Sequence, residues 1–348
     1  MASPALGNKP EVQSMLVIHQ GALGDFILTL PALATLRSAF PQAKPVIMGY
    51  PRILELAEQR YYAEQIFSID QRGMASFYIQ EGPLDQGLSK FFSAFDFVIV
   101  FGKDEEGIFT ENLRRVCQRE FLHINTFPSW DERVHLTDCF LNQLTRYGIP
   151  VSESNSRLHL KQSDRDWGRD FWRRRGLTEK ERAGLIILHP GSGSKRKVWK
   201  LERFLSLVHT IQNDLNSRVL IVLGPAEGTE VQKAFEEMKP NAPLCVRGLS
   251  LIQLASVMEG CRLFIGNDSG ISHLAAALEL PTIAIFGPTD PNVWSPRGKK
   301  VLVIRKELPC SPCSQERFFQ CKDFACLNGI EVGEALRGLE SMGIGVYV

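Results

Sequence analysis

Several features are missing from this 348-residue chain, and each absence narrows what it can do. No run approaches the ~18 consecutive apolar residues of a membrane-spanning helix, so no segment reads as a bilayer anchor. The stretch "MASPALGNKPEVQS" has no cationic segment followed by an apolar one, so a secretory leader is not expected and the expected compartment is the cytoplasm. Charge of one sign is also missing. Forty Lys and Arg against 39 Asp and Glu give a formal charge of +1, which leaves no global field to draw the chain to nucleic acid. No dinucleotide fingerprint follows the first strand, which argues against an oxidoreductase.

What remains is the composition of an ordinary soluble protein, 44% hydrophobic and 23% charged, with a length that suits two domains of roughly 150 residues each. In the first half "SMLVIHQ", "KPVIMGY" and "FDFVIVFG" read as strands. "DFILTLPALATLRSAFP", "RILELAEQR" and "RVHLTDCFLNQLTRYGI" read as helices, the last ended by Pro150. Residues 151 to about 183 are polar, carry the charged helix "SDRDWGRDFWRRRGL", and look like a link. The second half repeats the scheme: strands "GLIILHPGSG", "SRVLIVLGP", "RLFIGNDSG" and "PTIAIFGPTD" alternate with helices "KLERFLSLVHTIQND" and "LSLIQLASVMEGC". Short apolar strands separated by helices imply α/β architecture, with parallel sheets covered on both faces and ligands at the strand carboxyl ends. Two such units predict a ligand site between domains.

Three loops carry chemistry. In "VIHQGALGDFILTLPAL", Gly21 and Gly24 permit a tight turn, and Asp25 stands at the head of a helix, as a cap or as a catalytic carboxylate. In "HPGSGSKRKVW" the spacing G-x-G-x-x-x-K is neither a Walker loop nor a Rossmann fingerprint. Free N–H groups of the turn, with Ser192, Ser194 and Lys197, suit a diphosphate; a basic solvated loop is the alternative. In "GNDSGISHLAAAL", Asp268, Ser269 and Gly270 lie at a strand end, Ser269 or Ser272 is placed to cap the next helix, and His273 lies one turn in.

Of eight cysteines, Cys117, Cys139, Cys245 and Cys261 read as small core residues. Cys310, Cys313, Cys321 and Cys326 cluster as C-x2-C-x7-C-x4-C. That pattern is compatible with a structural zinc or iron–sulfur site, with disulfides, or with free thiols.

Taken together, "GALGDFILTLPAL", "HPGSGSKRKVW", "GNDSGISHLAAA" and "IFGPTDP" resemble the glycosyltransferase family 9 heptosyltransferases, the ADP-heptose:lipopolysaccharide enzymes, from about residue 15 to 340. The resemblance implies a GT-B fold of two Rossmann-like doubly wound domains facing a cleft. An acceptor domain would span 1–165 and a nucleotide-sugar domain 166–330, with a terminal segment 331–348 crossing back. It implies an inverting transfer of heptose from ADP-heptose to an inner-core lipopolysaccharide acceptor, with Asp25 as general base and Gly21 and Gly24 in the acceptor-side loop. Ser192, Gly193, Ser194 and Lys197 match the phosphate loop; Asp268, Ser269, Gly270 and His273 match the second donor loop. Glu227 matches an acid near the ribose, and Leu249 would lie beside the adenine. No D-x-D-like carboxylate pair stands in the donor region, so no catalytic divalent ion is expected. Contact with the membrane would be at most peripheral, at the inner face. The same motifs admit a transferase with another nucleotide sugar or acceptor, or a noncatalytic binding protein of the same fold.

Overall fold

The computed structural model describes residues 11–127 and 133–344; most of the N-terminal stretch read above and the last four residues of the terminal segment lie outside the described residues. The chain divides into two units, 1–159 and 160–348, so the division falls six residues before the expected 165/166 boundary.

In the first unit β1 (Ser14–His19), β2 (Lys44–Gly49), β3 (Gln65–Ser68), β4 (Phe97–Gly102) and β5 (Glu120–Asn125) form a parallel sheet in the order β3-β2-β1-β4-β5. β1 and β4 are central and buried along nearly their whole length, which is why they read as continuous apolar runs. Strand order reverses between β1 and β4, so the loops leaving those strands diverge and open a crevice at their carboxyl ends. β3 and β5 were not anticipated, because short edge strands such as "QIFS" carry little apolar signal. The expected helix "RILELAEQR" is helical only over Pro51–Leu54. Beyond it Arg60 donates to the Glu55 and Glu58 carbonyls at 2.9 and 2.8 Å, oxygens that a longer helix would have used itself.

The helix Leu23–Ala39 contains Pro31, which supplies no N–H to the Ile27 carbonyl one turn back. The buried Ser156 hydroxyl donates to that carbonyl instead, at 2.8 Å. Thr137 does the same for the next carbonyl, Leu28, at 3.0 Å, and so ties the helix Leu136–Arg146 to it. An interior proline is tolerated because hydroxyls from distant sequence replace what it removes.

The second unit holds β6 (Ile186–His189), β7 (Val219–Leu223), β8 (Leu244–Arg247), β9 (Leu263–Asn267), β10 (Thr282–Ile285) and β11 (Val301–Ile304), all parallel, in the order β11-β10-β9-β6-β7-β8. This is the doubly wound order, with its switch point between β6 and β9. The polar helix Gln162–Arg173 belongs to this unit rather than to a free link: Trp172 Nε1 donates to the Val257 carbonyl at 3.2 Å, and Arg165 Nε spans both Glu259 oxygens at 3.0 and 3.1 Å. The terminal helix Val332–Ser341 packs on the helix Leu201–Asn213, β10 and β11 of its own unit, because Ala335 and Leu339 are buried with Phe204, Ile283 and Ile304 in one core. Among the described residues no helix is long and apolar enough to cross a membrane.

The proline repair makes a test of the first unit. Ser156→Ala leaves a buried carbonyl unpaired and is expected to cost about 1–3 kcal/mol in urea unfolding. In a Pro31→Ala background, where the helix regains its own N–H, the same change should cost clearly less. Equal costs in the two backgrounds would contradict the account.

Candidate active site

In the second unit the loops after β6 and β9 emerge side by side, since the parallel register sets His189 against Gly266. The Asn267 side chain, fully buried, fastens them together: its amide donates to the Pro190 and Gly191 carbonyls at 2.7 and 3.3 Å, and its carbonyl accepts from Trp199 N at 3.0 Å. Ser192 Oγ donates to the Asp268 carbonyl at 2.8 Å. Lys197 Nζ pairs with Asp268 Oδ2 at 2.9 Å, and Thr289 Oγ1 donates to that same oxygen. The Asp268 side chain is 6% exposed and that of Lys197 27%, so the pair is fixed on its acidic side and open on its cationic side. An ammonium has three donors, and one engaged with Asp268 leaves capacity for an incoming anion.

Ser194, Lys195, Arg196 and Lys197 do not act alike. Ser194 Oγ accepts from Arg196 N at 3.3 Å and shapes the turn. Arg196 faces away, donating to the Cys321 carbonyl at 2.9 Å with its guanidinium near the Phe324 and Phe318 rings. Gly193 borders open space, so packing does not demand glycine there; at Gly191 a Cβ would overlap the Glu227 carboxylate, so the glycine required by packing is that one. Ser269 precedes the helix Gly270–Ala277, but no side chain caps it, and Ser272 donates to the Asn267 carbonyl at 2.5 Å. The capping role expected of these serines is therefore absent, and the first N–H groups of this helix face the same end of the sheet as the loop after β6. His273 is buried in the second turn of this helix.

Glu227 follows β7 and is nearly buried, its carboxylate accepting from Gly224 N and resting against Gly191. Leu249 is half-buried in the turn after β8. β6, β7 and β8 are neighbours in the sheet, so the loops that carry Lys197, Glu227 and Leu249 leave three adjacent strands at the same end. His189 closes β6 with Nδ1 on the Val222 carbonyl at 2.9 Å, and burial pushes its pKa down.

The cysteine segment is stitched to these loops: Ser311 Oγ donates to the Gly287 carbonyl at 2.6 Å and Cys313 N to the Pro288 carbonyl at 2.7 Å. All four of its cysteines are free thiols. Burial first, and then neighbouring thiols, push the Cys313 and Cys326 pKa values up, that of Cys326 to about 11. Among the described residues no group of three or more His, Cys, Asp or Glu is arranged to hold a metal ion.

In the first unit Asp25 is the third residue of its helix, and Oδ2 accepts from Ala22 N at 3.0 Å. Gly24 is helical rather than part of the turn, whereas Gly21 is required by space: a Cβ there would come within 2.7 Å of Asp25 Cβ and of the His19 ring. Sequence reasoning missed His19, the last residue of β1. Its Nδ1 accepts from Gly21 N at 3.3 Å, and Nε2 lies 3.3 Å from Thr29 Oγ1, which donates to the Asp25 carbonyl at 2.8 Å. With the hydroxyl proton committed to that carbonyl, Nε2 carries the ring proton and the imidazole is neutral. Asn267 and Thr289 were missed too, although both lie in quoted motifs.

Two doubly wound units, each with polar and charged side chains gathered at its switch point, define an α/β protein of two Rossmann-like sheets. The family model described as "Glycosyltransferase family 9 (heptosyltransferase)" matches residues 128–322. The chain belongs to that family and is a glycosyltransferase. Lipopolysaccharide heptosyltransferase 1 of Pseudomonas aeruginosa is 42% identical over 73 residues, a match spanning 21% of this chain and 20% of that relative. Among solved structures, the glycosyl transferase family 9 protein from Veillonella parvula aligns with TM-score 0.79 at 22% identity, over 95% of this chain and 97% of that one. The E. coli ADP-heptose lps heptosyltransferase II aligns with TM-score 0.71 at 16% identity, over 94% and 98%. These two likenesses show the GT-B fold.

Burial of His19 has a consequence for pH. Desolvation lowers its pKa to about 4 against the backbone hydrogen bond at Asp25, which raises it. The folded state thus binds fewer protons than the unfolded chain between about 6.5 and 4, and stability from this group is complete above 6.5 and lost as pH falls through that window. His19→Gln should flatten the decline of unfolding free energy over this range, by up to about 3 kcal/mol. Superimposable pH–stability curves for variant and wild type would contradict this.

Proposed function

We propose that this glycosyltransferase moves a heptose from ADP-heptose to an inner-core lipopolysaccharide acceptor with inversion at the anomeric carbon. The observation that carries the donor half is the Lys197–Asp268 pair, which binds the loops after β6 and β9 into one partly open cationic site. The diphosphate would lie there, against Ser192, Gly193, Ser194 and the helix start at Ser269–Gly270, with His273 on the next turn. Glu227, one strand further out, suits the ribose hydroxyls, and Leu249, two strands out, the adenine. The relatives above, heptosyltransferases in two cases, support both donor and acceptor class.

In this mechanism Asp25 takes the proton of the acceptor hydroxyl as that oxygen attacks the anomeric carbon. The bond from that carbon to the diphosphate breaks, and its electron pair leaves with ADP. Lys197 and the helix N–H groups stabilise the charge that develops on the leaving group, which is the task a divalent ion performs in other transferases. The acceptor is a glycolipid, so the enzyme would work in the cytoplasm, touching the inner face of the membrane peripherally. The cysteine segment braces the donor loops and takes no part in the transfer.

Release of ADP and transfer to truncated lipopolysaccharide core, followed by mass spectrometry over a panel of nucleotide sugars, tests this directly. Asp25→Asn should hold ADP affinity within a few fold while lowering turnover roughly 10²-fold or more. Lys197→Ala should weaken ADP binding while leaving adenosine binding unchanged. Near-normal turnover in the first variant would return Asp25 to a capping role, and equal ADP affinity in the second would remove Lys197 from the donor site. Turnover with another donor only would replace heptose, and binding without turnover would mark a noncatalytic protein. Cys310→Ser with Cys313→Ser should lower thermal stability and leave turnover of the folded fraction nearly intact; lost turnover at unchanged stability and ADP affinity would place the thiols in the reaction.

A further inference from the structure

The segment "SIDQRGMASFYIQEGPLDQG" after β3 carries none of the residues assigned above, yet it supports one exposed tyrosine with unusual care. Tyr78 is 46% exposed. One face of its ring stacks on Phe109, centroids 4.6 Å apart and planes 6° from parallel, so the exposure falls on the other face and the edge. The backbone on both sides is clamped: the Asn112 amide, itself 3% exposed, donates to the Phe77 and Ile79 carbonyls, each at 3.0 Å. Phe77, fully buried against Phe92, anchors the same turn. The hydroxyl accepts from Gln20 Nε2, and Gln20 is the residue between His19 and Gly21 in the loop that leads to Asp25. Asp104, in the loop after β4, is held on the same side by the residue after Phe109, Thr110, whose N donates to its Oδ2 at 2.8 Å, and its charge acts on the Tyr78 hydroxyl.

Exposed tyrosines on a surface are ordinary, but they are not normally held by a buried amide, a stacked ring and a hydrogen bond from the neighbouring loop. A rigid aromatic face beside planar polar groups is what a sugar ring requires: its axial C–H bonds lie on the ring, and its hydroxyls bond to amide and carboxylate. Ordering costs little, because the side chains are already fixed. We infer that Tyr78, with Gln20 and Asp104, forms a saccharide subsite that seats the acceptor sugar beside Asp25. This rests on the transferase reading for the role of Asp25; the arrangement of the aromatic site stands by itself. The subsite puts acceptor selectivity in the segment after β3.

The test uses the full chain and de-O-acylated truncated lipopolysaccharide core as probe, with saturation-transfer NMR for binding and ADP release from ADP-heptose for turnover. Tyr78→Ala should weaken probe binding and raise its KM at least tenfold while ADP affinity stays within twofold; Tyr78→Phe, which keeps the ring, should recover most of the loss. Probe that binds wild type and Tyr78→Ala alike, or that fails to bind wild type, overturns the subsite. So does a Tyr78→Ala protein that loses ADP affinity to the same extent, since that reports general damage. A wild type that binds the probe in a Tyr78-dependent way and releases no ADP supports the subsite while refuting the transferase reading.

Discussion

The buried side-chain amide of Asn267 is the interaction on which the second unit's site depends. Where two parallel strands end, their backbones diverge and the carbonyls that would have continued the ladder lose their partners. Asn267 satisfies two of them at Pro190 and Gly191, and with its own carbonyl receives Trp199 N at the far end of the same loop. One residue of β9 therefore fixes both the departure and the return of the loop after β6. Trp199, fully buried, adds a bond from Nε1 to the Ile330 carbonyl at 3.0 Å and carries this constraint to the stretch just before the terminal helix. Lys197, two residues before Trp199, has little freedom left, and Asp268, next to Asn267, meets it. The ion pair is a consequence of the amide clamp rather than the origin of the loop's shape.

The first unit solves the same geometric problem with different chemistry. Its β1 ends on His19, paired in register with Phe101 of β4, and a neutral imidazole takes the place of the amide. Gly21 N and the Thr29 hydroxyl are its partners, and through Thr29 it reaches the backbone of Asp25. The two switch points are thus built alike and charged oppositely. One presents a carboxylate held by a backbone N–H, the other an ammonium held by a carboxylate. In the proposed mechanism proton removal falls to the first and the departing diphosphate to the second, so the chemistry would divide between the units by the charge that each loop presents.

Most of the fold was legible where burial was two-sided. Central strands β1, β4, β6, β7, β9 and β10 announce themselves as apolar runs, and the glycine-rich turns after them mark the strand ends. Edge strands β3, β5 and β8 mix polar with apolar residues, since half their surroundings are solvent or loop, and were not read; β11, "VLVI", is wholly apolar and was passed over for its four-residue length. The packing of the terminal helix was not legible, because amphipathicity tells that a face is buried and not against what; its stripe of Ala335 and Leu339 meets Phe204 and Ile304. At the site, charged and glycine residues were found because they are chemically conspicuous. Asn267 and Thr289 were not, because each acts through partners distant in sequence, Asn267 across 77 residues to Pro190 and Thr289 across 21 to Asp268; His19, whose partners Gly21 and Thr29 are close in sequence, was passed over as the polar end of an apolar strand. Gly193 and Gly191 differ only in what lies above them, which no spacing reveals.

The central claim is that the loops after β6 and β9, clamped by Asn267, are where the nucleotide diphosphate binds. Hydrogen exchange of the full chain with and without ADP measures this peptide by peptide. The account predicts slowed exchange concentrated in 190–197 and 266–273, with a smaller effect near Glu227 and Leu249 and none at the β1 loop. Protection confined to other segments, or ADP binding with no change in those two loops, would contradict it.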